Sequence, residues 1–223
     1  MGNLPYAGHH PGLWGRSGKP TSRIWLLYSA RQDRRRIAVL CADDWSLLLI
    51  HLTERNIMSE KIYNVLVLCT GNSARSIMAE ALINTMGKGR FHAYSAGSRP
   101  TGEVNPFAIE QVASVGYPTA DLRSKSWNEF AWPEAPKMDF IITVCDNAAG
   151  ETCPVWPGQP ISAHWGFEDP AAVEGGDEEK RRAFEKSFRH IMNRVQLFVN
   201  LPLAMLDKNA IKREMQAIGD KPV

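Results

Sequence analysis

The sequence lacks the long apolar runs of a membrane protein. No stretch of about 18 consecutive apolar residues occurs in the chain, so no transmembrane helix is predicted. A basic cluster at Arg34–Arg36 is not followed by an apolar segment with a small-residue cleavage site, so a secretory signal is not predicted either. The formal net charge is only +2, which is too mild to favour a nucleic-acid-binding protein.

Cysteine is scarce, and its spacing excludes a small disulfide scaffold. The chain has four cysteines and no Cys-x-x-Cys pair; they are Cys41, Cys69, Cys145 and Cys153. Apolar residues make up 44% of the sequence, enough for a core that needs no disulfide. Cysteines in such a chain do chemistry or lie inert in the core, typically in a reducing compartment. We therefore expect a cytoplasmic protein.

The basic excess belongs to the first segment alone. Residues 1–57 hold eight Lys/Arg and four Asp/Glu, a balance of +4, and the other 18 basic and 20 acidic residues leave 58–223 at −2. Two interpretations stay open: a disordered or weakly structured tail, or an upstream extension of a protein whose translation begins at Met58. We favour the second, and expect the folded domain to span 58–223 with 1–57 outside the fold.

From Lys61 onward, apolar strands alternate with amphipathic helices. Short runs rich in Val, Leu and Ile are typical of buried parallel strands, and they lie at Tyr63–Leu68, Phe91–Ser95, Asp139–Val144 and Pro160–Ala163. Helices are predicted up to Gly87, from Asn105-Pro106 to Gly116, from Asp177 as N-cap to Pro202, and over Asp207–Ile218. This alternation predicts a parallel α/β sheet with helices on both faces.

One loop combines a nucleophile with an anion site. Cys69 ends the first strand, and Arg75 follows six residues later at the start of a helix. Gly71 and Asn72 between them tolerate positive φ, so the loop can curl its backbone N–H groups around a tetrahedral oxyanion. Arg75 adds a fork that binds two oxygens. The same field predicts a lowered pKa for the Cys69 thiol.

The segment Cys69-Thr-Gly-Asn-Ser-Ala-Arg-Ser76 resembles the signature of low-molecular-weight protein tyrosine phosphatases and of the arsenate reductases that share their fold. Ser95-Ala-Gly-Ser98 resembles the second-strand motif of the same family. The resemblance runs from about Ile62 to the C-terminus. It implies a small four-stranded parallel sheet with flavodoxin-like winding, and an oxyanion cradle formed by Thr70, Gly71, Asn72, Ser73, Ala74, Arg75 and Ser76.

Within that resemblance, the chain is closer to the reductases. Ala74 stands where the phosphatases usually carry a second Cys, and Asp169-Pro170 is followed by two alanines rather than by aromatic residues. The segment from Cys145 to Cys153 resembles the redox loop of the reductases. Reduction of As(V) to As(III) takes two electrons, so a reductase needs a second thiol that a phosphatase does not.

The resemblance implies a role for each site residue. Cys69 is the nucleophile, Asp169 the general acid, Cys145 the thiol that releases arsenite, and Cys153 the thiol that resolves the disulfide. No tightly bound cofactor is expected, except for a potassium ion that some family members hold at positions matching Asn72, Glu80 and Ser95. Reducing equivalents come from an external thiol system, either thioredoxin or glutaredoxin with glutathione, and we expect a monomer with no membrane or nucleic-acid partner.

Two rival functions stay open. A low-molecular-weight phosphotyrosine phosphatase would hydrolyse an aryl phosphate at a rate comparable with arsenate reduction. A non-catalytic oxyanion sensor would use the basic first segment to contact nucleic acid, and would lose ligand-dependent DNA binding when residues 1–57 are deleted.

The first segment is expected to be dispensable, because it carries none of these motifs. A protein that begins at Met58 should keep full activity and nearly unchanged thermal stability. Melting temperature and arsenate turnover, measured on the full-length and shortened proteins side by side, test this. A large loss of either would mean that residues 1–57 pack on the domain.

Overall fold

The computed structural model describes residues 61–145 and 156–222. Cys41, Cys153 and the predicted boundary at Met58 lie outside these ranges. The described residues form strands β1 (Tyr63–Cys69), β2 (Phe91–Gly97), β3 (Phe140–Thr143) and β4 (Ile161–His164), with helices α1 (Arg75–Met86), α2 (Pro106–Ser114), α3 (Asp177–Val199) and α4 (Lys208–Gly219). Short 3-10 helices lie at Trp127–Phe130, Pro170–Ala172 and Leu203–Met205. No helix in these ranges is both long and apolar enough to cross a bilayer.

The strands form a four-stranded sheet in the order β2-β1-β3-β4, and every pair is parallel. β1 is central, and Val65 to Leu68 are fully buried, because both faces of a parallel sheet are covered. The predicted α/β sheet and its winding are therefore confirmed. The carboxyl ends of β1, β2 and β3 meet at one edge, where a doubly wound sheet binds its ligands.

The two faces of the sheet are covered differently. Val65 and Val67 of β1 belong to the larger apolar cluster, which includes buried residues of all four α-helices. Leu66 and Leu68 point to the other side, as the alternation of a strand requires. There they pack in a smaller cluster with residues of the 3-10 helix Trp127–Phe130. Among the described residues, the second face thus carries a short 3-10 helix rather than an α-helix.

The helix starts follow the sequence signals with one correction. The Asn105 side chain accepts a hydrogen bond from the Phe107 backbone N–H at 3.0 Å, with Pro106 at the first helical position, as predicted. Asp177, however, is the first residue of α3, and Gly176 is the N-cap. The carboxylate of Asp177 lies one position inside the helix, where it still interacts favourably with the helix dipole.

Gly219 sets the distance between α4 and the end of β4. A Cβ atom at this position would lie inside the contact distance of the His164 carbonyl oxygen and 2.9 Å from Cδ1 of the buried Trp165. Helix propensity alone favours Ala over Gly by about 1 kcal/mol. The backbone of His164 cannot move aside as a flexible side chain can. We therefore expect the steric cost of an alanine Cβ to exceed the stability gained from the higher helix propensity of alanine.

Gly219→Ala should therefore lower the melting temperature, by several degrees for a loss of about 1 kcal/mol or more. Gln216→Ala is the matched control, because it is an exposed position on the same helix and should leave stability unchanged. Thermal unfolding followed by circular dichroism measures both. A more stable Gly219→Ala protein would show that α4 can move away from β4 at no cost.

Candidate active site

The loop between β1 and α1, residues 70–74, which we call the oxyanion loop, is held by the segment that follows β2. The backbone N–H groups of Arg99, Thr101 and Asn105 donate to the carbonyl oxygens of Thr70, Gly71 and Ser73 at 2.9, 3.0 and 2.9 Å. Since these carbonyls point outward, the N–H groups of the following peptides turn toward the concave side of the loop. This is the arrangement of an anion-binding nest at a helix N-terminus.

Asn72 is the residue that shapes this loop. Its φ is 44°, so the expected positive φ is confirmed there, whereas Gly71 is not among the positive-φ residues. The Asn72 side chain is fully buried. Its amide nitrogen donates to Ser76 Oγ and to Ser95 Oγ at 2.9 Å each, and its oxygen accepts from the Lys125 backbone N–H at 2.8 Å. These bonds join β1, α1, β2 and the 124–126 segment.

Close approach of β2 to the loop depends on Gly97. A Cβ atom there would overlap the Thr70 carbonyl oxygen and lie 3.0 Å from the Asn72 backbone nitrogen. Any side chain at position 97 would therefore push the loop away from the sheet. The Ser-Ala-Gly-Ser motif noted in the sequence thus has a steric explanation.

The Cys69 sulfur lies at the bottom of the loop and is 4% exposed. The Asn72 backbone N–H donates to it at 3.1 Å, and Ser76 Oγ lies 2.9 Å away. Because Ser76 Oγ already accepts a bond from the Asn72 amide, its own proton is available to the sulfur. Two donors therefore converge on Cys69, which stabilises a thiolate.

The effect of burial on the pKa of the Cys69 thiol is nevertheless larger than the effect of these two donors. Desolvation raises the pKa of the Cys69 thiol, the nearby Cys145 raises it further, and the bonds from Ser76 and Asn72 act in the opposite direction. The lowered pKa predicted from the sequence is therefore wrong for this conformation, because removing the sulfur from water disfavours its charged form.

Arg75 and Asp169 meet beside the loop. Arg75 Nη2 lies 2.6 Å from Asp169 Oδ2, and Nη1 donates to the Phe167 carbonyl oxygen at 2.9 Å. The other carboxylate oxygen of Asp169 accepts the Ala171 N–H at 3.1 Å, which caps the short helix that Pro170 begins. The fold thus brings together the two side chains that the sequence separates by 94 positions. We call residues 166–169 the acid loop.

Cys145 lies at the carboxyl end of β3, next to the end of β1. The Val144 N–H donates to the Leu68 carbonyl oxygen at 2.9 Å, which continues the pairing of the two strands. Cys145 is buried, and its sulfur lies 3.5 Å from Thr70 Oγ1 in the oxyanion loop. Cys145 is also one of the groups that raise the pKa of the Cys69 thiol. Cys153, the predicted resolving thiol, lies outside the described residues.

The residues expected to hold potassium lie together but do not fit the ion. Lys125 Nζ lies 3.7 Å from Glu80 Oε2, and both side chains are largely buried. Burial raises the pKa of Glu80 and lowers that of Lys125, while their mutual attraction opposes both shifts. The ammonium group thus already supplies positive charge to Glu80. Asn72 turns its amide nitrogen, not its oxygen, toward Ser95, so the donor set lacks a ligand oxygen that potassium needs.

Sequence reasoning missed the residues that support the loop from a distance. Lys125 and Ser124 bind Asn72 and Gly71 from 53 positions away, through the Lys125 N–H and through Ser124 Oγ at 3.0 Å from the Gly71 carbonyl oxygen. No spacing or motif marks them, because the contact exists only once the 124–126 segment pairs with the end of β2. Thr101 was missed for the same reason.

The geometry agrees with comparisons to known proteins. The family model described as low molecular weight phosphotyrosine protein phosphatase matches residues 64–216. The chain belongs to this family. The match begins at the second residue of β1 and contains the oxyanion loop, the acid loop and Cys145.

Several family members that resemble the chain are arsenate reductases. Those of Halalkalibacterium halodurans and Bacillus subtilis are each 36% identical over 141 residues, which is 63% of this chain and 96% of the relative. A crystal structure of an arsenate reductase from Archaeoglobus fulgidus is 30% identical and gives a TM-score of 0.49, covering 61% of this chain and 99% of that one.

The hydrogen bond between Ser76 and Cys69 predicts how the reactivity of Cys69 depends on pH. The Ser76 hydroxyl lowers the pKa of Cys69, so Ser76→Ala should raise it further, and the thiolate should form only at higher pH. At a fixed pH below the pKa, Cys69 should then react more slowly with iodoacetamide, because a smaller fraction of the thiol is ionised. A pKa that is higher by about one pH unit lowers that fraction about tenfold.

Mass spectrometry of the Cys69 peptide across pH measures this rate. Ser114→Ala is the matched control, since Ser114 lies exposed on α2 and donates only to the Gln111 carbonyl oxygen among the bonds described. If Cys69 in Ser76→Ala reacted at lower pH than in the unaltered protein, the hydroxyl would not be a donor to the sulfur.

Proposed function

We propose that this protein reduces arsenate to arsenite, with Cys69 as the nucleophile and Cys145 as the second thiol. The observation that carries the proposal is the position of Cys145, buried beside the oxyanion loop and 3.5 Å from Thr70 Oγ1. Hydrolysis of a phosphate ester needs one thiolate, whereas two-electron reduction needs a partner sulfur that can form a disulfide. Family relatives that are arsenate reductases support this choice.

Arsenate binds where the loop N–H groups and Arg75 converge. The nest and the amino end of α1 attract a tetrahedral oxyanion, and the planar guanidinium of Arg75 can bind two of its oxygens. In the described arrangement, the Arg75 fork contacts the acid loop. Bound arsenate would share this fork with Asp169, which places the carboxyl group next to an arsenate oxygen.

In the first step, Cys69 Sγ forms a bond to arsenic. The proton of the Cys69 thiol passes to an oxygen of the bound arsenate as the sulfur attacks. Asp169 acts as the general acid and gives a proton to the departing hydroxyl group, which leaves as water. The product is a covalent adduct between Cys69 and arsenic that is still As(V). The Asn72 N–H and the Ser76 hydroxyl stabilise the sulfur while it carries negative charge.

In the second step, Cys145 attacks the Cys69 sulfur. A sulfur–sulfur bond forms, the sulfur–arsenic bond breaks, and its electron pair stays on arsenic, which becomes As(III). The proton of the Cys145 thiol goes to arsenite as it leaves. Two thiols have then been oxidised to one disulfide and arsenic has gained two electrons, so the step balances without another reactant.

Cys153 is proposed to attack the Cys145 sulfur and carry the disulfide to the surface, which frees Cys69. An external dithiol, thioredoxin or glutaredoxin with glutathione, then reduces it. We further propose that the protein acts as a cytoplasmic monomer, in keeping with thiols that must return to the reduced state. Arsenate-dependent NADPH consumption, measured with each purified coupling system in turn, tests the function and identifies the reductant.

The phosphatase alternative shares the first step and differs afterwards. A phosphatase would hydrolyse the Cys69 adduct with water and would not need Cys145. The residues after Asp169-Pro170 are Ala171 and Ala172, which offer no aromatic surface for a phenyl ring. Steady hydrolysis of an aryl phosphate as fast as arsenate reduction, together with full activity of Cys145→Ser, would favour the phosphatase.

Replacing each of the three cysteines by serine should stop the reaction at a different step. Cys69→Ser should abolish turnover, because a hydroxyl group is not ionised near neutral pH. Cys145→Ser should allow the adduct to form but should block arsenite release through the internal disulfide. Cys153→Ser should complete one reduction and stop with a disulfide between Cys69 and Cys145, unless an outside thiol reaches it.

Mass mapping of disulfides after a single turnover distinguishes these outcomes, with Cys41→Ser as the control that should change nothing. Multiple turnovers by Cys145→Ser with only a dithiol protein as reductant would contradict the relay. Normal turnover of Cys153→Ser with glutathione and glutaredoxin would mean that two protein thiols suffice.

A further inference from the structure

A buried arginine of α3 binds the acid loop in addition to Arg75. Arg194 is only 5% exposed. Its Nη1 donates to the Gly166 carbonyl oxygen at 2.9 Å, and its guanidinium carbon lies 4.6 Å from the centroid of the Phe167 ring. A cation placed over an aromatic face in this way is stabilised by the ring. The contacts fix both the backbone and the side chain of the loop.

The same guanidinium group also binds the end of the chain. Arg194 Nη2 donates to the Lys221 carbonyl oxygen at 2.8 Å, just beyond α4, where the carbonyl groups of the helix carry partial negative charge. Burial lowers the pKa of Arg194, and Asp220 partly opposes this. No carboxylate pairs directly with it among the ion pairs of the described residues. A buried charge held by carbonyl groups is costly, so its retention calls for an explanation.

Besides Arg194, the acid loop is held against α3 by the burial of Phe167 in the larger apolar cluster and by few described polar contacts. A cavity of about 120 Å³ lies between the two, lined by loop residues including Glu168 and Asp169 and by helix residues including Lys186 and Ser187. The only ion pair described across this gap joins Lys186 to Glu168 at 2.9 Å, with side chains 53% and 83% exposed. Exposed pairs of this kind contribute little. Loss of the Arg194 contacts would therefore let the loop shift into available space.

We propose that Arg194 is a positioning residue that holds Asp169 in place for proton transfer, acting through the backbone of Gly166 and Phe167. Phe167 connects the two arginines, since its ring packs on Arg194 and its carbonyl oxygen accepts from Arg75. Displacement of a catalytic group by about 1 Å can cost up to a hundredfold in rate. The inference rests on the proposed role of Asp169 as general acid.

The test is a double-mutant cycle between Arg194→Lys and Asp169→Asn, with kcat for arsenate measured in all four proteins. Lysine keeps the charge but not the planar fork or its stacking on Phe167. Alone, Asp169→Asn should lower kcat by about a hundredfold or more, and Arg194→Lys by roughly tenfold. In the Asp169→Asn background, Arg194→Lys should have almost no further effect, because the group it positions is already gone.

Arg182→Lys is the matched control. It makes the same substitution on the same helix, at a residue whose side chain is 74% exposed and pairs only with Glu178 among the described ion pairs. It should leave kcat unchanged. If Arg194→Lys does not fold, as judged by circular dichroism, Phe167→Leu takes its place in the cycle, since it removes the ring but keeps the backbone carbonyl.

An equal loss of kcat from Arg194→Lys in both backgrounds would overturn the proposal, because a purely structural role lowers activity regardless of Asp169. The proposed function is tested separately, by measuring arsenate reduction and aryl phosphate hydrolysis in the unaltered protein. If that protein hydrolyses an aryl phosphate but does not reduce arsenate, the same cycle is run on the aryl phosphate, where Asp169 has the same role. If it does neither, both proposals are wrong.

Discussion

The hydrogen bonds of the buried Asn72 hold the active site together. Its backbone N–H reaches the Cys69 sulfur, while its side chain binds Ser76, Ser95 and the backbone of Lys125. One residue in the left-handed region therefore fixes the curvature of the oxyanion loop, the direction of the Ser76 hydroxyl and the distance to β2. Buried polar networks of this kind are stable only when every member is satisfied, so the site depends on contacts from four separate segments of the chain.

The burial of Cys69 has a chemical consequence. A thiolate in the free enzyme is open to oxidation and alkylation, whereas a buried thiol is less reactive until a group such as bound substrate accepts its proton. Arsenate can do so, because it carries basic oxygens into the nest beside the sulfur. The donors from Ser76 and Asn72 then stabilise the charge as it forms. The raised pKa of Cys69 is thus compatible with its role as a nucleophile, and it links activation of the thiol to binding of the oxyanion.

Arg75 and Arg194 contact different parts of the acid loop. The fork of Arg75 contacts Asp169 and the Phe167 carbonyl oxygen. The buried Arg194 binds Gly166 and the Phe167 ring. Arg75 must be able to exchange partners when an oxyanion binds, so it cannot by itself define the position of the loop. A second, buried anchor separates the binding of substrate from the placement of the acid.

The sequence by itself determined the sheet and the helices, and it marked the residues that are proposed to react. Cys69, Arg75 and the apolar strands are recognisable because their chemistry depends on neighbours within one short segment, and local periodicity and motif spacing record such neighbours. Only the tertiary structure decided the direction of the thiol pKa shift, the pairing of Glu80 with Lys125, and the contact of Arg194 with the acid loop. These depend on burial and on residues far apart in the chain, brought together when the helices and loops pack against the sheet. Desolvation and long-range hydrogen bonds leave no periodic signal in the sequence, since each is a property of the packed core.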